Sequence, residues 1–418
     1  MTARVPLANS AGRSRTRPTD RREVVLRTAS DVFGVHGYAA TRLTDIAAEV
    51  GISAPALYRH FSTKYDLFAA AVDRLSADVD AAISAVARHD EPRRELAAVL
   101  AAFTETVMEH RRAGNLYRWE RRVLDDADRT RTRDVRIALH RRLRSLIEIA
   151  RPALDRPTAD LLAVATLSIA ASPATHRIAM GRRAAAELVS TAAVALIDVE
   201  FPDPSPTPAQ LPGLAPTGRR ESILAAAVSL FAQRGFHEVT VEDIGAAVGL
   251  PASGVYRHFE SKGAILAAAL WRTADRTTDA VAVALSQAQT PREALASLTG
   301  RYSELCVDDP DIMAVYLSGT GALDDDELRA LRRQQRTTVD EWATWVVRAR
   351  PELTSAAARY LVHASLNLAS DLVTGRPGVD APTVAAVSAA TLLGDSDTST
   401  GSEKTAKRGL DSARPAGS

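Results

Sequence analysis

The chain has 418 residues, 46% hydrophobic, 25% charged and only 5% aromatic, the profile of a globular protein with room for two or three domains of about 150 residues. Its formal net charge is +1, from 52 Lys+Arg against 51 Asp+Glu, which excludes a uniformly basic nucleic-acid coat and leaves room for local basic patches. The single cysteine, Cys306, excludes an internal disulfide and a cysteine-based zinc site, and it fits a reducing cytoplasm.

Residues 1–19 are rich in Arg, Ser and Pro, with Arg13, Arg15 and Arg17 among them, and are expected to form a disordered arm. That stretch lacks the apolar centre of a signal peptide. Apolar residues then recur at spacings of three and four, as in Leu26, Ala29, Val32 and Phe33, and alanine is abundant; both predict helices. The longest uncharged apolar stretch, Leu161 to Ser172, falls short of the ~20 residues that span a bilayer. Between Val199 and Gly218 lie six prolines (202, 204, 206, 208, 212 and 216), which predict a semi-rigid linker reaching roughly 60 Å if extended at about 3.1 Å per residue. Helical spacing resumes beyond it, as in Val339, Trp342 and Val346, and the Gly/Ser/Thr-rich residues 394–418 are expected to be a disordered tail. No alternating strand pattern or Asn-Gly hairpin is visible. The expected fold class is all-α.

The chain repeats itself. Residues 22–71 align without a gap on residues 220–269 at an offset of 198, with 20 of 50 positions identical. Tyr58-Arg59-His60-Phe61 recurs as Tyr256-Arg257-His258-Phe259, and Lys64 recurs as Lys262. Further on the offset becomes 199: Leu124-Asp125-Asp126 meets Leu323-Asp324-Asp325, and Ala150-Arg151-Pro152 meets Ala349-Arg350-Pro351. The chain is two copies of one unit of about 200 residues, far longer than a solenoid repeat. The expected division is an arm (1–19), a first head (20–75), a first helical body (76–198), the linker (199–218), a second head (219–273), a second body (274–393) and the tail (394–418).

Within the first head, Ile46 and Val50 lie one turn apart on a short helix. Gly51 follows where a left-handed residue ends a helix, Ser53 can cap the next one, and Leu57 and Phe61 form its inward i, i+4 pair. Such a helix, tight turn and second amphipathic helix is a helix-turn-helix. With Leu57 and Phe61 inward, Ala54, Pro55, Tyr58 and Arg59 must face outward. Ala and Pro suit a thymine methyl, Arg a guanine or phosphate, and Tyr a phosphate.

The pattern Gly37…Asp45-Ile46-Ala47…Gly51-Ile52-Ser53…Leu57-Tyr58-Arg59-His60-Phe61…Lys64 resembles the N-terminal DNA-binding domain of TetR-family bacterial regulators, and the second copy repeats it. The resemblance implies that Tyr58 and Lys64 contact phosphates and that Thr44, Ala54 and Pro55 sit at base-reading positions. Ser53, Arg59 and His60 complete the candidate surface, matched in copy two by Ala252, Ser253, Tyr256, Arg257, His258 and Lys262. His60 reads equally as a packed helix-end histidine. Lys64 and Lys262 are the only lysines outside the C-terminal tail, which favours a role over drift.

The heads are unequal. Residues 1–74 carry 11 Arg/Lys against 7 Asp/Glu, and residues 219–272 carry 6 against 5. Copy two has Glu242 for Thr44 and Pro251 for Ser53, whereas copy one has Arg42 where copy two has Thr240 of a Thr-x-x-Asp box. The second head is expected to bind more weakly or to read a different half-site.

The resemblance further implies a cytoplasmic repressor that binds duplex operator DNA and answers to a small molecule in each body, with a hydrophobic effector such as a lipid or acyl thioester as the expectation. Candidate lining residues are Tyr117, Trp119 and His140 in copy one and Tyr316, Trp342, His363 and Asn367 in copy two; ordinary core packing is the competing reading of each. No cofactor, metal site or membrane partner is expected. An enzyme ranks last, since no HExxH, phosphate loop or GxSxG elbow appears, and Asp324-Asp325-Asp326-Glu327 reads as an acidic helix start. A small-molecule-binding helical protein with a degenerate second head is the alternative. Family members pair through their last helices, so one chain with two bodies is expected to pair internally as a pseudo-dimer, against the alternative of a homodimer with four heads.

Overall fold

A computed structural model describes residues 18–113, 116, 123–202, 217–319 and 323–394; most of the expected arm, linker and tail lies outside the described residues. The first copy contains α1 (Pro18–Ala40), α2 (Leu43–Val50), α3 (Ala54–Tyr58), α4 (Lys64–Ser84), α5 (Pro92–Glu109), α6 (Asp126–Ala150), α7 (Arg156–Ala171) and α8 (Arg182–Ala195). The second contains α9 (Arg219–Arg234), α10 (Val241–Ala247), α11 (Ala252–Tyr256), α12 (Lys262–Gln287), α13 (Pro291–Asp308), α14 (Pro310–Gly319), α15 (Asp325–Ala349), α16 (Ser355–Gly375) and α17 (Ala381–Leu393). Among the described residues there is no strand, and no helix is long and apolar enough to cross a membrane.

Helix starts repeat between the copies because their capping side chains do. Thr63 and Ser261 accept the backbone N–H groups of Asp66 and Ala264, opening α4 and α12. Asp125 and Asp324 open α6 and α15, and Asp155 and Thr354 open α7 and α16. Each such bond satisfies a backbone donor that the first turn leaves orphaned, for about 1 kcal/mol. The acidic run at 324–327 is therefore a helix start, with Asp324 accepting from the Glu327 N–H at 2.8 Å. Because α4 and α12 run on past residues 75 and 273, each head is continuous with its body through one helix.

The first head closes over Phe33, Ile46, Leu57, Leu67 and Phe68, all fully buried, with Phe33 and Phe68 packed edge to face at 5.2 Å. The heads are fastened to their bodies differently. In copy one the Tyr65 hydroxyl donates to Asp128 Oδ2 (2.6 Å) and accepts from the Asp125 N–H (2.9 Å). Copy two has Gly263 at that position, so it lacks this polar tie. Both heads also rest on apolar body residues, the first on Ala113, Leu116 and Leu124 and the second, through the packing of α9 on α14, on Ile312, Met313 and Val315.

The bodies meet each other. Helix α7 packs along α16, and α8 against α16 and α17; Leu161, Leu162, Ala165 and Ile169 share one apolar cluster with Tyr360, Ala364, Leu368 and Leu372. Burying one Leu or Ile side chain contributes roughly 1.5–3 kcal/mol, so this contact is a second core. Arg111 braces its rim: the guanidinium donates to Pro173 O (2.7 Å) and Ile178 O (3.1 Å) and lies 3.0 Å from His176 Nδ1. Across the junction the Tyr360 hydroxyl donates to Ile178 O at 3.3 Å.

Gly34 is required by a close approach. A Cβ at Gly34 would lie 2.4 Å from Arg112 O and 2.8 Å from Ala113 Cα, whereas Gly300, within α13, has nothing within 4 Å. We expect Gly34→Ala to destabilise the first copy by about 1–3 kcal/mol through overpacking. Gly300→Ala should stabilise the second by roughly 0.5–1 kcal/mol, the helix propensity gain of alanine. Urea unfolding of the two variants checks this; changes of the same sign would contradict it.

Candidate nucleic-acid interface

Each head builds its outward face on the same backbone device. Gly37 (φ 78°) interrupts α1 and Gly235 (φ 86°) ends α9. Gly51 (φ 73°, ψ 35°) ends α2 in the left-handed region, and Gly249 (φ 67°) holds the same place after α10. A left-handed residue lets the chain reverse while its N–H still meets a carbonyl: Gly51 N–H reaches Ala48 O at 3.1 Å, and Ile52 N–H reaches Ala47 O at 2.9 Å.

Helix α3 starts after Ser53, but the serine hydroxyl accepts no capping bond, which corrects the sequence expectation. The reason is local: the Ala56 N–H, the donor such a cap would use, is taken by the Ser53 carbonyl at 2.9 Å. The helix is also shorter than its periodicity suggests, ending at Tyr58. Leu57 and Phe61 are nonetheless buried, at 0% and 5% exposure, and this leaves Tyr58 53% exposed and its twin Tyr256 52% exposed. Thr44, Ser53, Pro55, Arg59 and His60 are exposed and Ala54 half-buried; Ser253 and Arg257 are exposed, with Ala252 and His258 half-buried. His60 is thus exposed rather than part of the core.

The lysines do something the sequence did not announce. Lys262 Nζ donates to Phe236 O and Val239 O, both at 2.7 Å, and sits 4.4 Å from the Phe236 ring centroid. Lys64 Nζ lies 4.5 Å from the ring centroid of Tyr38, the twin of Phe236. Burial lowers the pKa of both ammonium groups. Each therefore braces the turn between the first two helices of its head. Arg22 and Arg220 are a second matched pair, 5.0 Å and 4.0 Å over the rings of Phe61 and Phe259.

The caps of α2 and α10 differ as their sequences do. In copy two the Thr240 hydroxyl accepts from the Asp243 N–H (3.1 Å) and Asp243 accepts from the Thr240 N–H (2.9 Å), with Arg234 alongside at 3.1 Å. In copy one Asp45 accepts from the Arg42 N–H at 3.2 Å, but an arginine side chain has no acceptor with which to reciprocate. The Thr240 backbone and hydroxyl, then Arg234, hold the Asp243 carboxyl down at about 2. Glu242 is exposed at the position of Thr44.

The body residues singled out in the sequence do not form one pocket. Tyr117 and Trp119 lie outside the described residues. His140 pairs with Asp160 at 3.1 Å. His363 and Asn367 face the other copy, His363 stacked 4.5 Å from His176 and Asn367 bonded to Ser168. Burial and the Arg111 charge push His363 down to about 4. Only Trp342 and Tyr316 share an interior. Trp342 is buried beside Tyr302 (ring centroids 6.1 Å), and its indole N–H has no partner among the described residues; Tyr316 accepts from Gln335. Tyr302, Ser303, Cys306 and Ser370, missed in the sequence, add buried polar atoms there. The Tyr302 hydroxyl lies 3.4 Å from Ser370 Oγ, and burial pushes the Cys306 thiol up to about 12. A visible signal was the contrast with copy one, which has Phe103 and Val107 at the positions of Tyr302 and Cys306. Among the described residues no group of His, Cys, Asp and Glu is placed to hold a metal ion.

Residues 25–71 and 223–269 each match the family described as "Bacterial regulatory proteins, tetR family". The chain is 36% identical over 92 residues to the HTH-type transcriptional activator FasR of Mycolicibacterium smegmatis, covering 21% of this chain and 41% of that protein. It is 43% identical over 63 residues to the HTH-type transcriptional repressor ComR of Escherichia coli, covering 15% and 30%. The matches thus span less than half the length of these curated relatives. The crystal structure of a TetR-family transcriptional regulator from Bordetella parapertussis superposes with a TM-score of 0.40 and 21% identity, over 43% of this chain and 96% of that one.

The two caps make a direct test. Thr240→Ala should cost head two about 1 kcal/mol, and Arg42→Thr should add a comparable amount to head one by completing its capping box. The Asp243 pKa is depressed from 3.8 to about 2 in the fold, so its contribution is present above the unfolded value and lost as pH falls between the two. Asp243→Asn should flatten that acid limb of the stability curve; an unchanged limb would contradict the cap.

Proposed function

We propose that this chain, which carries the TetR-family DNA-binding segment twice, is a DNA-binding transcriptional regulator working as a single-chain pseudo-dimer on an operator of two unequal half-sites. The observation that carries the proposal is the matched pair of exposed faces on α3 and α11, each held outward by a left-handed glycine turn and a buried aromatic. A phenol, a guanidinium and small apolar groups on a short exposed helix suit a major groove, where phosphate contacts fix register and base-edge contacts give sequence preference.

In this reading Tyr58 and Tyr256 donate to phosphates, and Thr44, Pro55, Arg59 and their counterparts meet base edges. Lys64 and Lys262 support binding in two ways, by positive charge near phosphate and by bracing the turn that aims the reading helix. Glu242 repels phosphate but can accept from a cytosine amine, so the second head reads a different half-site, more weakly. Internal pairing of α7 and α8 with α16 and α17 supports one chain presenting both heads, at the spacing of about 34 Å that successive major grooves require.

The regulator represses by occupying its operator in the cytoplasm, and a small molecule held in a body releases it. Copy two is the better-equipped body, because the unpartnered Trp342 indole and the Tyr302–Ser370 hydroxyls offer polar anchors within apolar walls. Its head leans directly on α14 of that body, so a change there reaches the head.

Selection of duplexes from a random pool, followed by gel shifts across a salt series, tests the proposal. We expect an asymmetric site with half-sites about one helical turn apart, and an affinity that falls steeply with salt as counterions are released. Tyr58→Phe should weaken all sequences alike, whereas Arg59→Ala should relax preference at one position by about 1–3 kcal/mol. A pool that yields no enriched sequence would overturn the proposal.

A further inference from the structure

At the centre of the junction between the copies, two equivalent positions touch. Ser168 on α7 and Asn367 on α16 are counterparts at the 199-residue offset, as are Ser172 and Asp371. The Asn367 amide donates to Ser168 O (3.2 Å), Ser168 Oγ (3.0 Å) and Asp371 Oδ2 (2.9 Å), and the Ser168 hydroxyl donates to Asp371 Oδ2 at 2.6 Å. Ser168 and Asn367 are buried, at 5% and 6% exposure. The mirror position behaves differently: the fully buried Ser172 hydroxyl has no partner among the described residues. Among the described residues the polar cluster is therefore one-sided: Asp371 accepts from Asn367 and Ser168, and its counterpart Ser172 makes no matching bond.

From this asymmetry we infer that Ser168, Asn367 and Asp371 form a partner-selecting lock, which admits copy one opposite copy two and rejects copy two opposite itself. This inference rests on the internal pairing proposed above and adds its cause. A junction of two second copies would set Asn against Asn in a space that holds Asn and Ser. It would also set two half-buried carboxylates about one axis, where the present junction has one. A junction of two first copies would set Ser against Ser and leave a void. Buried polar groups that fit only one pairing commonly fix register and partner, and rejecting a wrong partner is as effective as attracting the right one. A homodimer of chains with each copy on its twin would need both disfavoured junctions at once, so the lock rejects that arrangement, and the covalent link favours the copy already within reach.

A carboxylate-transfer experiment on the full-length chain tests this. Ser168→Asp places a second carboxylate against Asp371, and like charges opposed across an interface are strongly disfavoured. Hydrogen exchange of α7 and α16 should then speed up by about tenfold or more, because each tenfold change corresponds to about 1.4 kcal/mol. Adding Asp371→Ser restores one carboxylate and two donors with their sides exchanged, and protection should return to within about threefold of the unaltered chain, a residue of under about 1 kcal/mol. Ser168→Asn, the same size as aspartate but uncharged, separates charge from bulk: it should keep protection that S168D loses, and equal loss in S168N and S168D would overturn the lock. Unchanged protection in S168D, or equal loss in S168D and S168D/D371S, overturns the lock while leaving the internal pairing in place. Free exchange of both helices in the unaltered chain would overturn the pairing itself.

Discussion

Each body ends in helices whose apolar faces its own copy does not fully cover, and the covering of one pair by the other is the constraint on which the rest of the molecule depends. Leu161, Leu162 and Ile169 on α7 meet Leu368 and Leu372 on α16 in a single cluster. Removing that contact would expose a continuous apolar strip to water, which a soluble monomer rarely tolerates. The covalent link makes the partner always available, so its effective concentration is set by the linker rather than by dilution. Everything the heads do in concert follows from this junction, since α4 and α12 carry each head as an extension of its body.

Duplication within one chain also frees the two copies to diverge, and the divergence has a pattern. Residues that shape the reading surface are kept: the left-handed glycines, Phe61 and Phe259, the exposed Tyr-Arg pair and the bracing lysine. Residues that attach head to body are not. Tyr65 ties the first head to Asp128 by a short hydrogen bond, whereas Gly263 makes no such tie and the second head rests on the apolar side of α14. The second head thus lacks the polar tie that the first head has.

Much of this was legible in the sequence because the repeat supplied an internal comparison. Gly51 with Gly249, and Leu57-Tyr58-Arg59-His60-Phe61 with its echo, gave the turn, the inward pair and the outward face. What stayed hidden required partners brought together by the fold. The Ser53 side-chain cap failed where the Ala56 N–H turned to the Ser53 carbonyl, a competition that spacing alone does not reveal. Lys64 and Lys262 read as surface charges because their targets, backbone carbonyls and a ring some 25 residues away, gather only when the turn forms. His363 and Asn367 read as pocket residues because a buried polar side chain in one helix gives no sign that its partner lies in the other copy. The sequence signals for that role were weak but real: Ser168 and Asn367 differ in size at one repeat position, and Ser172 and Asp371 differ in charge at the next turn.

The central claim is that one chain is the complete pairing unit. Native mass spectrometry of the protein on its selected duplex tests it most directly. The account predicts a single 44.7 kDa chain per duplex, unchanged on dilution, because the pairing is intramolecular. Two chains on every duplex, separating to bare DNA and single chains as concentration falls, would contradict it.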